Sequence, residues 1–150
     1  MMNMVSNPKP RAWSQELYER AVEFHGHGGP FMVIGLRMGL YSLERLDAKG
    51  WFDMRCRAMV RWRPPDSCVI DGLQVSTGCT TGKHNMEVEE GEGVAAEFRK
   101  GEDSLVLRLR EEVLLRVRET LSEEDGGGVE ELMRWLREAP VDQLFEAVGS

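Results

Sequence analysis

Pro30-Phe31-Met32-Val33-Ile34-Gly35-Leu36-Arg37-Met38-Gly39-Leu40-Tyr41-Ser42-Leu43 is a run in which only Arg37 and Ser42 are clearly polar. Pro30 suits the first turn of a helix, where its missing N–H would have had no intrahelical partner. The apolar residues go nearly all the way round such a helix instead of forming one stripe. The spacing therefore predicts a helix buried in the middle of the fold. Gly35 and Gly39, four apart, leave one flat side, for which close packing against a neighbouring element is a simpler expectation than a cofactor groove.

Ahead of this helix, residues 1–13 with Pro8 and Pro10 read as an irregular arm anchored by Trp13. Ser14 is a plausible N-cap for a helix to about Phe24, with Trp13, Leu17, Ala21 and Phe24 at helical spacing, and Gly26 stops it. The link between the two helices, Phe24-His25-Gly26-His27-Gly28-Gly29, holds two of the three histidines. Imidazoles two residues apart on a glycine-rich backbone can converge on a proton or a metal ion at neutral pH.

Beyond Asp47–Gly50, the segment from Trp51 to Arg63 alternates as a strand. Met54, Cys56, Ala58, Val60 and Trp62 fall on one face and Arg55, Arg57, Arg61 and Arg63 on the other. Such an arginine face either grips carboxylates or phosphates or meets acidic side chains of neighbouring strands or of a second subunit. Pro64-Pro65 closes the strand, and Asp66 is placed to cap a helix through about Val75. The loop Thr77-Gly78-Cys79-Thr80-Thr81-Gly82-Lys83-His84-Asn85 follows. Three alternating segments, 86–89, 94–99 and 104–110, read as an antiparallel meander. Glu111 to Leu121 is an amphipathic helix, 122–128 a hinge, and two last helices are expected on Val129, Leu132, Met133, Leu136 and on Val141, Leu144, Phe145, Val148.

The 150 residues are enough for one core without metal or disulfide staples. No apolar run reaches the length of a membrane span, and residues 1–14 lack the charged-then-apolar order of a signal peptide, so a cytoplasmic protein is expected. Three cysteines without CxxC spacing read as reduced thiols. The net charge of −7 comes entirely from residues 102–150; the body is neutral and offers no basic surplus for nucleic acid.

The Gly78–Lys83 loop is not a P-loop. Three residues separate its glycines, His84 stands where a magnesium-binding hydroxyl belongs, and a helix precedes it. Its amides can still form an anion nest with Lys83 as a point charge. The His-x-His pair does not belong to a metal-hydrolase barrel, for which the chain is too short, nor to a zinc deaminase, whose Pro-Cys-x-x-Cys is absent. Cys68, Cys79 and His84 complete a small set of borderline metal ligands. Cys79, between Gly78 and Thr80 and near Lys83, is the leading thiolate candidate, a packed free thiol being the equal alternative. Cys56 is expected in the core and Cys68 on an apolar helix face. A thiol redox pair would need Cys68 and Cys79 within disulfide reach.

Taken together, His25-Gly26-His27-x-x-Pro30, the glycine-containing buried helix, and Asp66-Ser67-Cys68-x-x-Asp71-x-x-Gln74-Val75-x-Thr77-Gly78-Cys79-Thr80-x-Gly82-Lys83-x-Asn85 resemble the FmdE family, proteins associated with formylmethanofuran dehydrogenase, over roughly residues 15–110. The resemblance implies an α+β fold, mostly antiparallel sheet around the buried helix, as a core domain of residues 1–121. An acidic helical extension, 122–150, would follow it. A homodimer is implied, with the His-rich turn and the Thr-Gly-Cys-Thr loop in one site. There His25, His27 and Cys79 would hold a divalent transition metal, zinc first and nickel or iron as alternatives. His27 and Cys79 would be ligands or an acid and nucleophile pair, Lys83 with Asn85 would bind an anionic substrate, and Asp71 and Gln74 would supply supporting hydrogen bonds. Formylmethanofuran dehydrogenase subunits are the implied partners, in one-carbon metabolism of the methanogenic type.

Two departures stand out. Family members carry His-Gly-His-x-Cys-Pro-Gly, whereas here Gly29 replaces the cysteine and Phe31 the glycine. Many also append a cysteine-rich zinc segment, where this chain has its acidic tail. With the arginine face, these departures motivate the other reading, a non-catalytic accessory or interaction protein without a metal.

Overall fold

In the computed structural model, which describes residues 7–148, the apolar run forms helix α2, Pro30–Arg45, with twelve of its residues buried. Before it lies α1, Gln15–His25, where Ser14 Oγ accepts from Leu17 N at 3.1 Å as an N-cap and Gly26 ends the helix at φ 107°. After it come β1 (Arg55–Val60), α3 (Cys68–Thr77), β2 (Met86–Glu90), β3 (Val94–Lys100) and β4 (Asp103–Leu109). The chain ends with α4 (Glu111–Leu121), α5 (Val129–Glu138), α6 (Val141–Leu144) and β5 (Phe145–Val148). The expected class, α+β with a mostly antiparallel sheet around a buried helix, is the one observed. The first six residues of the expected N-terminal arm lie outside the described residues.

The flat side of α2 meets α3. A Cβ on Gly35 would overlap the Val69 carbonyl oxygen, one on Gly72 would overlap the Met32 carbonyl oxygen, and one on Gly39 would overlap the Ser76 hydroxyl. These glycines let two helix backbones touch, which fixes where α3 begins and ends relative to the rest of the core. Asp66 does not cap α3. It is 1 % exposed, and both carboxylate oxygens accept from Arg118 of α4, at 2.8 and 3.2 Å. That hydrogen bond raises the Arg118 pKa and pins α4 beside the start of α3.

The strand order is β2-β1-β3-β4-β5, with β1–β2 parallel and every other pair antiparallel. The expected meander is therefore correct for β3–β4 and wrong for β2. β1 is slotted between β2 and β3, because α3 is the crossover of a β1-α3-β2 unit and returns the chain parallel to β1. The short 91–93 link then steps over the end of β1, where Gly91 N donates to Val60 O at 3.0 Å. The arginine face of β1 meets acidic neighbours: Arg57 Nη2 reaches Glu97 at 2.8 Å and Arg55 reaches Glu87 at 3.6 Å. Trp62, expected on the core face, lies past the strand end and is 62 % exposed.

The tail packs on this body. Arg37, the one charged side chain of the α2 run, donates from its two terminal nitrogens to Leu136 O and Ala139 O, each at 2.6 Å, and so closes the C-terminus of α5. The expected last helix is one turn, α6, after which Phe145–Val148 becomes a strand on the free edge of β4. Val141, Leu144, Phe145 and Val148 fit helical spacing, but an edge strand offering unpaired N–H and C=O groups overrides that local pattern.

Candidate functional site

The site begins where α1 ends. His25, the last residue of α1, reaches Asp71 in the first turn of α3, with Nδ1 at 2.5 Å from Oδ2. The carboxylate is an acceptor, so Nδ1 donates to it, and in the neutral ring Nε2 then carries the lone pair. The His25 side chain is 9 % exposed, and its Nε2 is buried without a hydrogen-bond partner. A buried ring nitrogen held in one tautomer and left unpaired is what a metal-binding or proton-accepting imidazole requires.

The glycines bring the second imidazole alongside. Gly26 turns the chain in the left-handed region, and Gly28 lies so close to the Tyr18 hydroxyl that a Cβ there would overlap it. The loop is thereby folded back against α1. The His27 ring, exposed to solvent, sits with its centroid 4.9 Å from that of His25. Gly29 stands against His27: a Cβ there would be 3.2 Å from His27 Cε1. Its backbone is extended, at φ −144°. Cys68 lies one turn before Asp71 on α3, half-buried. Burial first, then the negative charges of Asp71 and Asp66, raise its thiol pKa and keep it protonated at neutral pH.

The other half of the expected site lies at the opposite end of α3. Asp71 and the C-capping Gly78 are seven residues apart, about 10 Å along a helix axis. Cys79 is not an exposed thiolate. It is fully buried, its Sγ donates to Met54 O at 3.6 Å, and its amide donates to Thr77 Oγ1 at 3.1 Å. Burial pushes the thiol pKa up, against smaller lowering effects from Thr77, Lys83 and Arg55. Asn85 is committed to the backbone, with Nδ2 donating to Trp51 O and Met54 O and Oδ1 accepting from Thr80 N. It holds the loop and has no donor to spare for a ligand. Lys83 Nζ touches Thr80 Oγ1 at 3.0 Å and lies 5.8 Å from the Phe52 ring centre. His84 is exposed at φ 63°, and Gln74 is half-buried, its carbonyl accepting from Gly78 N.

The structure thus brings together His25, His27 and Asp71, and it keeps Cys79, Lys83 and Asn85 in a second group. Among the described residues, no three His, Cys, Asp or Glu side chains of one chain are placed to hold a metal ion. The trio His25, His27 and Cys79 is not assembled within one chain, because α3 separates Cys79 from the histidines. Sequence reasoning did not pick out Tyr18, which shapes the histidine turn, nor Phe52 and Arg99 beside Lys83. The register Arg55↔Arg99 is a pairing that no local spacing announces.

Comparison with known proteins adds three findings. The family model described as FmdE, molybdenum formylmethanofuran dehydrogenase operon, matches residues 24–146. A protein of Archaeoglobus fulgidus named a probable S-adenosyl-L-methionine-binding protein is 37% identical over 81 residues, which are 51% of this chain and 21% of that protein. The chain thus spans about a fifth of that relative's length. The crystal structure of a tungsten formylmethanofuran dehydrogenase FmdE-like protein from Syntrophus aciditrophicus superposes with a TM-score of 0.60 at 21% identity. That match covers 97% of this chain and 78% of the other, a likeness of fold.

Proposed function

The chain belongs to the FmdE family, and on that premise we propose that His25 Nε2 and His27 bind a divalent transition metal, zinc first and nickel or iron as alternatives. The observation that carries this reading is the buried Nε2 of His25, unpartnered while Asp71 fixes Nδ1. Asp71 sets the tautomer and holds the ring plane, as carboxylates behind ligating histidines do. His27, exposed and 4.9 Å away ring to ring, gives the second nitrogen and the route to solvent. A metal bound there supplies Lewis-acid polarisation of an oxygen ligand. Two imidazoles leave further positions open, for water, substrate or a side chain from a second copy of the chain, in keeping with a homodimer.

The family description motivates a place beside formylmethanofuran dehydrogenase in one-carbon metabolism. The three free cysteines suit a reducing cytoplasm, and among the described residues no helix is long and apolar enough to cross a membrane.

Chelator competition with zinc on tag-free protein tests the metal. His25→Ala should abolish binding, Asp71→Asn should weaken it about 10- to 100-fold, and Cys79→Ser should leave it unchanged. No zinc binding by folded wild-type protein would overturn the metal. The accessory-protein reading, favoured by Gly29 in place of a ligand thiol, would then stand if a large partner co-purifies from the native host.

A further inference from the structure

A hollow of about 420 Å³ lies at the far end of α3 from the histidines, walled by Phe52, Asp53, Arg55, Lys83 and Arg99. A second hollow of about 280 Å³ shares Arg55 and Arg99 with it and adds Arg57, Glu87 and Glu97. The charges do not balance. Asp53 spends both oxygens on the amides of Lys49 and Gly50, at 2.7 and 2.9 Å. Glu97 is shared, Oε1 with Arg57 at 2.8 Å and Oε2 with Arg99 at 3.4 Å, and Glu87 meets Arg55 at 3.6 Å. Three carboxylates, Asp53, Glu87 and Glu97, thus face four cations, Arg55, Arg57, Lys83 and Arg99.

Among the described residues Lys83 has no carboxylate partner, and Arg57 Nε is buried with no acceptor. Nearby, Lys9 lies 4.0 Å from the centre of the Trp51 ring, and its pKa is lowered first by burial and then by Arg20 and Lys83. Cations crowd this end of a protein whose net charge is −7. In the same wall Phe52 is 79 % exposed, an aromatic face with Lys83 at its side.

We propose that this hollow binds an organic phosphate: a phosphate monoester on Lys83, Arg55 and Arg99, with a planar ring stacked on Phe52. Lys83, without a carboxylate partner among the described residues, supplies the excess positive charge for the phosphate, and guanidinium forks match its oxygens. An exposed ring beside cations is the pairing by which proteins hold a base next to its phosphate. The site is independent of the His25 reading and needs no metal.

Adenosine monophosphate is the probe, titrated calorimetrically against the full chain, with inorganic phosphate and adenosine as the separate halves. Saturable binding of the nucleotide is expected, with each half binding at least about tenfold more weakly. Phe52→Ala should weaken the nucleotide about tenfold, the scale of base–aromatic stacking, and leave inorganic phosphate unchanged. Lys83→Gln should weaken both, and His25→Ala neither. Circular dichroism confirms that each variant is folded. No saturable nucleotide binding by folded wild-type protein, or affinity unchanged in Lys83→Gln, would overturn the proposal. So would Phe52→Ala dissociating a dimer while leaving nucleotide affinity intact, since the ring would then be a contact between copies.

Discussion

Among the single residues, what separates a structural role from a functional one is which polar atoms are spent and which are free. Asn85 is spent on three main-chain partners and Cys79 on a carbonyl, whereas His25 holds one nitrogen in reserve. The sequence pattern gathered all of them into one motif set, but a pattern names residue types without saying which atom each has left. His25 and Asp71, 46 residues apart, meet only through the packing of α1 on α3. Gly29 yields a sharp prediction. Its backbone is extended and its missing Cβ faces His27, so Gly29→Cys is accommodated by a small shift of that ring and places a thiol beside the two imidazoles. A third ligand of this softness should tighten zinc at least about tenfold in chelator competition. Weaker binding in the variant would mean that the thiol does not face the site. The thiols give another prediction. In native protein at neutral pH only half-buried Cys68 should react with a disulfide reagent, and slowly, with Cys56 and Cys79 appearing only in denaturant.

Elements were more legible than their partners. The Pro30–Leu43 run announced a buried helix because an all-round apolar surface admits no other placement, and Gly35 and Gly39 announced close packing. What they pack against was not readable, since Gly72 of α3 is recognisable as the matching flat spot only once the two helices are in contact. Gly35→Ala or Gly72→Ala forces two backbones apart and should cost about 1–3 kcal/mol of stability in urea titration, in the range of overpacked cores. An unchanged midpoint would contradict the crossing. β2 was misread because the glycine-containing link 90–93 suggests a hairpin, whereas here the chain spans the end of an intervening strand. Arg37 looked like a blemish in an apolar helix and is the clasp on α5. Arg37→Met removes two charge-assisted hydrogen bonds to Leu136 and Ala139 and should lower stability by about 2 kcal/mol. Proteolysis should then begin in the 122–128 segment.

For the whole molecule, the acidic tail joins the common core: Leu132, Leu136, Leu144 and Phe145 are buried with the body, and β5 completes the sheet. That was illegible locally because the last four-residue strand exists only on the edge β4 provides. The buried thiols set a pH limit. Burial holds the Cys56 and Cys79 pKa values above the ordinary value of 9.0, so below that value both are neutral folded or unfolded and contribute no pH dependence. As pH rises past it, the unfolded chain loses protons that the folded chain keeps, and stability falls. Thermal melts should therefore decline above about pH 9, and Cys56→Ala should flatten part of the decline. Whether His25 Nε2 holds a metal is decided by anomalous scattering from tag-free crystals soaked in zinc and measured at its absorption edge. The expected result is a peak about 2.0–2.1 Å from His25 Nε2, with Asp71 still on Nδ1 and His27 alongside. A peak elsewhere, or none while His25 keeps its bond to Asp71, would contradict metal binding by this imidazole pair.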